Sequence, residues 1–471
     1  MGAGSGARRW NHRALILLAA LALLQVTLLA LETTTHSVGA QITEHPNIVL
    51  IVTDDQRYDT LARMPEVQRL LMRPGMTLRK AIVTNPLCCP SRATILTGRY
   101  SHTTGVYSNF GSNGGWASFK ASESDTIATA LDAVGYRTAL LGKYINGYGG
   151  THPYVPPGWD RWSAFTGGGG YYYNYSMFDD AQGTLSYGSS PSDYSTDVIR
   201  RRAVGFIRGT PADTPLFMVV TPFAAHGPYT AARRHLGDLA TATVRLGPAV
   251  NEADVRDKPR YIRHRAIVSR EWVRTRTRDQ WESLLAVDEL VSRIMATLAD
   301  TGRAANTLVI FMSDNGFSNR EHRWGGKQVP YEESIRVPMV IRMPAEVPAN
   351  AVSYSLVSNL DVAPTIADFA GASLSADGVS LRPLVTATVP SVRGSILLEH
   401  VEGAQPVPTY CGVRTANFTF VHYSTRAEEL YDLRRDPRQL ENVASARPKK
   451  RAALRALTKQ LCRPRPPGFS W

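Results

Sequence analysis

Three short apolar runs constrain this chain more than any other feature. Residues 47–53 (Asn-Ile-Val-Leu-Ile-Val-Thr), 216–221 (Leu-Phe-Met-Val-Val-Thr) and 307–313 (Thr-Leu-Val-Ile-Phe-Met-Ser) are continuous and uncharged. An alternating pattern would fit a strand with one wet face. A continuous run fits a strand covered on both faces, and sheets of such strands are mostly parallel. Helical periodicity lies between the runs, over 124–134 before Gly135 and over 280–301 before Gly302. This alternation predicts an α/β fold with a large, mostly parallel central sheet flanked by helices. Functional groups in such sheets collect beyond the carboxyl ends of the strands.

The residues at those ends carry chemistry. Asp54-Asp55 follows the first run, and Asp314-Asn315-Gly316 follows the third. Either acidic pair alone also fits a helix N-cap or a turn. Together they form an all-oxygen set that suits Ca²⁺ or Mg²⁺ rather than zinc. After the second run, Thr221-Pro-Phe-Ala-Ala-His226-Gly-Pro228 places a histidine in a loop, where it can pass a proton to a leaving oxygen.

Residues 88–98 read Cys-Cys-Pro-Ser-Arg-Ala-Thr-Ile-Leu-Thr-Gly. Pro90 suits a first helical turn and Gly98 a helix stop, so Cys88 sits at a helix N-terminus, where an anion is favoured. No ligand spacing supports zinc, and adjacent cysteines rarely bridge without strain. The residues alone leave two readings open, a nucleophile at an anion site and a structural thiol.

Cys88-x-Pro90-Ser91-Arg92 followed by Leu96-Thr97-Gly98-Arg99 resembles the signature of type I sulfatases. The resemblance runs over most of residues 45–445 and implies an alkaline-phosphatase-like sandwich. It implies that a formylglycine-generating enzyme oxidises Cys88 to formylglycine, with Cys89 at a variable position. Asp54, Asp55, Asp314 and Asn315 then read as metal ligands, completed by the modified Cys88. The implied ion is a single Ca²⁺, with Mg²⁺ as the lesser candidate. Gly135-Tyr-Arg-Thr138 leading to Gly142-Lys143-Tyr144 resembles a second signature, although the histidine that often follows the lysine is missing here. Lys143, His226 and Lys327 read as sulfate contacts, and His322 as a contact to sulfate or sugar. Arg92 reads as the residue that holds position 88 and balances the acidic cluster. The implied activity is sulfuric ester hydrolysis, with a formylglycine gem-diol as nucleophile and a sulfated sugar or aryl sulfate as substrate. Gly142 to Tyr148, Pro156 to Trp159 and Tyr172-Tyr-Asn-Tyr-Ser176 resemble the N-acetylglucosamine-6-sulfatase branch. Tyr171–Tyr173 and Trp159 either stack on a sugar or pack the loop. Two other functions stay open, a phosphonate or phosphodiester hydrolase of the same superfamily and an inactive sulfated-glycan-binding protein.

The rest of the chain sets the context. Arg8, Arg9 and Arg13 precede an apolar run from Ala14 to Leu31, with small residues at Val38-Gly39-Ala40. Residues 1–40 therefore read as a signal peptide or a retained N-terminal anchor, and the protein as exported: secreted, in the cell envelope or periplasm, or lysosomal, depending on the host. A membrane partner follows only if that segment is retained. Export permits disulfides, and with Cys88 and Cys89 assigned to the site, Cys411 and Cys462 remain as a bridge or as two free thiols. Asn174-Tyr-Ser and Asn417-Phe-Thr are glycosylation acceptors if the host glycosylates. Residues 41–377 read as the catalytic domain. Residues 378–471 read as a small domain with an antiparallel sheet, a terminal helix and a basic tail. The glycine- and tyrosine-rich stretch 146–192 reads as long ordered loops. The formal net charge is +13. The arginines of 233–278 are interspersed with acids and read as a solvated helical surface, so no nucleic-acid partner is expected.

Overall fold

Period-two burial builds the core. The computed structural model describes residues 1–4, 45–150, 152–167 and 170–471. The leader or anchor expected over 1–40 thus lies, beyond its first four residues, outside the described residues. Among the described residues no helix is long and apolar enough to cross a membrane.

The chain forms β1 (Asn47–Thr53), β2 (Met76–Ile82), β3 (Arg137–Gly142), β4 (Arg161–Phe165), β5 (Tyr175–Asp179), β6 (Gly183–Tyr187), β7 (Leu216–Thr221) and β8 (Thr307–Ser313). A two-residue hairpin follows, β9 (Ser318–Asn319) and β10 (Gly325–Gly326), then β11 (Arg336–Val337), β12 (Met339–Arg342) and β13 (Ala351–Ser358). Eleven of these strands make one sheet, in the order β11-β2-β12-β8-β1-β7-β3-β4-β5-β6, with β13 also paired to β2. The centre, β8-β1-β7-β3-β4, is parallel throughout. Antiparallel pairings border it on both sides, through β12 and through β5 and β6.

All seven residues of β1 are buried. Ile48, Leu50 and Val52 enter one core, which includes Ala93, Ile95 and Leu96 of helix α1 (Cys88–Thr97). Val49 and Ile51 enter the other, beneath α2 (Ser195–Gly209) and α3 (Arg270–Asp300). A strand buried this way needs no alternation, which is why its sequence is continuously apolar.

Two local expectations are corrected. The stretch 146–192 is not loop alone, because β4, β5 and β6 lie within it and extend the sheet. The helix expected from 280 begins at Arg270, where the Ser269 side chain caps it by accepting from the Trp272 N–H. Its polar first turns hid the start, and they place Arg270, Arg274, Arg276 and Arg278 on that helix, whereas 236–259 runs mostly as turns and coil.

The four-stranded antiparallel sheet contains β14 (Ser395–His400), β15 (Tyr410–Thr415), β16 (Phe418–Tyr423) and β17 (Glu428–Asp432). One face packs Ile396, Leu398, Val421 and Tyr431 against Trp324, Val329 and Tyr331. The other packs Val413, Phe420 and Leu430 under α4 (Pro448–Leu461). A Cys411–Cys462 disulfide ties β15 to the end of that helix. Thr43–Trp471 forms one compact unit by its contacts.

Candidate active site

Four strand ends and one helix start meet at one place. Asp54 and Asp55 follow β1, Lys143 follows β3, His226 lies in the loop after β7, and Asp314 and Asn315 follow β8. Cys88 opens α1. Backbone bonds lock these ends together. Asp54 N–H donates to Ala224 O at 3.0 Å, Lys143 N–H to Thr221 O at 2.8 Å, and Asp314 N–H to Thr53 O at 3.0 Å. Gly142 permits the close approach of β3 to β7. Its φ is 119°, and a Cβ there would lie 2.2 Å from Thr221 O.

Asp54, Asp55, Cys88 and His226 can each bring one ligand atom within 4.8 Å of the others. Cys88 Sγ lies 3.6 Å from Asp54 Oδ1 and accepts from Lys327 Nζ at 2.8 Å. Lys327 also pairs with Asp55, and Lys143 pairs with Asp54. Arg92 Nε donates to Asp314 Oδ2 at 2.8 Å, Arg92 Nη1 donates to Lys143 O at 2.9 Å, and Arg92 Nη2 lies 3.8 Å from Asp54 Oδ2. Asn315 Nδ2 donates to Asp55 Oδ1 at 2.6 Å. His226 Nε2 lies 3.7 Å from Asp55 Oδ2, with 34% of its side chain exposed. The site residues before it in the chain are buried and Lys327 keeps 13% of its side chain exposed, so His226 is the most exposed group of the cluster.

The charges explain each other. Burial alone would raise the Asp54 carboxyl, but Lys143, then His226, Arg92 and Lys327, hold it well below the usual carboxylate range. Burial would lower Lys143 and Lys327, yet Asp54 and Asp55 respectively keep them raised. Burial pushes the Cys88 thiol up to about 11, against the pull of Lys143 and Lys327. An unmodified Cys88 is therefore protonated at neutral pH and a poor nucleophile. The donor chemistry fits a hard divalent cation. The carboxylates of Asp54 and Asp55 come within ligand reach of each other, Asp314 borders them with its oxygens accepting from Arg92 Nε and from the Asp55 and Asn315 N–H groups, and the buried Asn315 Oδ1 has no hydrogen-bond partner.

Some expected residues lie elsewhere. His322 is fully buried, with Nδ1 2.6 Å from Glu252 Oε2 and its ring against Tyr331, and it does not join the cluster. Trp159 stacks on Phe217, and Tyr172 is buried with its hydroxyl donating to His226 O. Both are committed to packing, whereas Tyr171 is exposed beside Phe223. Cys89 is gripped from two sides, through its N–H to Asn109 Oδ1 at 3.0 Å and through its Sγ from Asn146 N–H at 3.2 Å. Sequence reasoning missed Asn109 and Asn146. Asn146 stood inside the stretch after Lys143, but nothing local marked Asn109.

The sulfatase family profile matches residues 46–372, and the profile of the N-sulphoglucosamine sulphohydrolase C-terminal region matches 320–465. The chain belongs to the sulfatase family and is a sulfuric ester hydrolase. Within that family it is similar to the N-acetylglucosamine-6-sulfatases. It is 31% identical to the human N-acetylglucosamine-6-sulfatase over 85% of this chain and 81% of the relative. A solved protein in complex with its substrate, D-glucosamine-2-N,6-O-disulfate, superposes with a TM-score of 0.76 at 25% identity, covering 89% of this chain and 97% of that one. A phosphonate monoester hydrolase of Agrobacterium radiobacter shares the fold, with a TM-score of 0.70 at 20% identity, over 88% of this chain and 95% of that one.

Proposed function

We propose that this sulfatase releases inorganic sulfate from a sulfated sugar of the 6-sulfated glucosamine type, with aryl sulfates as surrogate substrates. The observation that carries the reading is the frame around Cys88, a helix N-terminus with Lys327 on its sulfur and Asp54, Lys143 and Arg92 behind it. When present, a calcium ion held by Asp54, Asp55, Asp314 and Asn315 supplies positive charge at the reacting oxygens, and formylglycine made from Cys88 supplies the nucleophile.

The chain's own residues do the rest. Lys143 and Lys327 offset the sulfate charge as it moves toward the leaving oxygen. His226, on the open side of the cluster, protonates that oxygen. Arg92, buried between Asp314 and Asp54, keeps the acidic cluster in place and limits its mutual repulsion. The burial of His322 gives no support to its contacting sulfate or sugar, and its bond to Glu252 fits a role in bracing the loop that presents Lys327. On this reading residues 41–377 carry catalysis, 378–471 complete the fold, and the protein is exported.

The test is mass spectrometry of the peptide spanning Cys88, together with sulfate release from N-acetylglucosamine-6-sulfate. Conversion of Cys88 and loss of turnover in both Cys88→Ala and Cys88→Ser are expected. Full activity in either variant sinks the mechanism. Faster turnover of an aryl phosphonate than of the aryl sulfate moves the assignment to phosphonate hydrolysis.

A further inference from the structure

The basic surplus of the chain is unevenly spread. From Asn442 to Trp471 the sequence contains no aspartate or glutamate. Arg447, Arg451, Arg455, Lys459 and Arg463 recur there at every fourth residue. On a helix such spacing stacks side chains one above another. At about 1.5 Å per residue the helical part of the resulting ribbon, Arg447 to Lys459, is on the order of 18 Å long, and Arg463 lies just past the cap. The ribbon follows α4 and its cap, while Leu454, Thr458 and Cys462 are buried on the sheet side.

Few carboxylates answer this ribbon. Arg447 pairs with Asp432 at 2.9 Å, and Arg451 and Arg455 lie 3.6 and 3.2 Å from Glu428. Among the described residues, Lys449, Lys459, Arg463 and Arg465 pair with no carboxylate. The scaffold beneath is fixed by the Cys411–Cys462 bridge and by Trp471, whose ring lies 5.3 Å from Lys459 Nζ. Groups held this way lose little freedom on binding. The ribbon also lies across the small sheet from the segment that carries Lys327, because α4 and Trp324–Tyr331 cover opposite faces of that sheet.

We propose that α4 and the segment after it form a secondary binding face for a sulfated polysaccharide, which lies along the ribbon by ion pairing while a sulfated sugar is hydrolysed at the cluster around Cys88. The choice of polyanion rests on the sulfated-sugar reading above. The chemistry of the face disfavours other polyanions. Between the charges the helix exposes Ala452, Ala453, Ala456 and Gln460, and none of the exposed large apolar side chains belongs to this segment. A lipid surface calls for an apolar face to insert, and single-stranded nucleic acid for aromatic rings on which bases stack.

The test uses the full chain, immobilised heparin as probe, and a variant carrying Lys449→Gln, Lys459→Gln, Arg463→Gln and Arg465→Gln. The wild type binds heparin with an affinity that falls steeply with salt. The variant binds at least tenfold more weakly at moderate salt, with a log–log salt slope shallower by about 3, and hydrolyses N-acetylglucosamine-6-sulfate unchanged. Equal heparin binding by variant and wild type overturns the proposal, as does equally tight binding of the wild type to phosphatidylserine vesicles. If the fourfold variant folds poorly, Lys459→Gln with Arg463→Gln alters only the two ribbon side chains that pair with no carboxylate, and a slope shallower by about 1.5 is expected, with no change refuting the proposal. A wild type that binds heparin but releases no sulfate refutes the catalytic reading and leaves this one standing.

Discussion

Gly142→Ala joins the fold to the chemistry and can be argued in numbers. The residue has φ 119°, a region open to glycine alone, so any side chain costs about 1–3 kcal/mol in backbone strain. The added Cβ would sit 2.2 Å from Thr221 O, a backbone atom that cannot swing aside. The β3–β7 edge must part, which endangers the 2.8 Å bond from Lys143 N–H to that same oxygen. Leaving a buried pair unmade costs roughly 1–3 kcal/mol more. The expected loss is about 4 kcal/mol in urea unfolding. The folded fraction should also lose on the order of a hundredfold in sulfate release, because Lys143 is drawn from Asp54. Gly135→Ala is the control. Gly135 also has a positive φ, 84°, but nothing lies within 4 Å of its Cβ position. It should cost about 1–2 kcal/mol and leave turnover intact. A Gly142→Ala variant within about 1 kcal/mol of wild type and fully active would refute the reasoning, since strain and clash would both have been overestimated.

Two other expectations concern stability. Burial, and then the neighbouring Glu321, push Glu333 up to about 7 from an ordinary value of 4.5. A carboxyl raised on folding binds an extra proton in the folded state. Its contribution is therefore full below pH 4.5 and is lost as the pH rises to about 7. Glu333→Gln should remove that decline in urea titrations, gaining on wild type above about pH 7, and equal profiles for the two proteins would count against it. The Cys411–Cys462 bridge spans 51 residues, so replacing both cysteines with serine should cost about 2–4 kcal/mol. Sulfate release at low temperature should survive, because the bridge lies in the small sheet and α4. A variant equally stable to urea would show that the bridge constrains little.

What the sequence disclosed, and what it withheld, follows from the range of the interactions. The strands β1, β7 and β8 were legible because burial on both faces writes itself into every consecutive residue. Their ends were legible for the same reason, since Asp54-Asp55 and Asp314-Asn315 stand directly after them. The start of α3 was not, because polar first turns carry little periodicity and its Ser269 cap looks like any loop serine. The strands β5 and β6 were hidden among glycines and tyrosines. Their pairing is made at the sheet's margin, where only alternate residues of β5 are buried, and short alternation is a weak signal. At the site, the residue types came from strand ends and motifs, but the pairings did not. That Lys327 meets Cys88 across a separation of 239 residues depends on how the β9–β10 hairpin is turned. Glu123 shows the same limit more sharply. It accepts from Trp116 Nε1 and Tyr144 OH, each at 3.0 Å, and from Tyr154 OH. Through Tyr144 it anchors the segment that begins with Lys143 and holds Cys89 through Asn146. No spacing announces a carboxylate that acts by receiving donors 7, 21 and 31 residues away, so the groups that hold the proposed site residues in place stayed silent in the sequence.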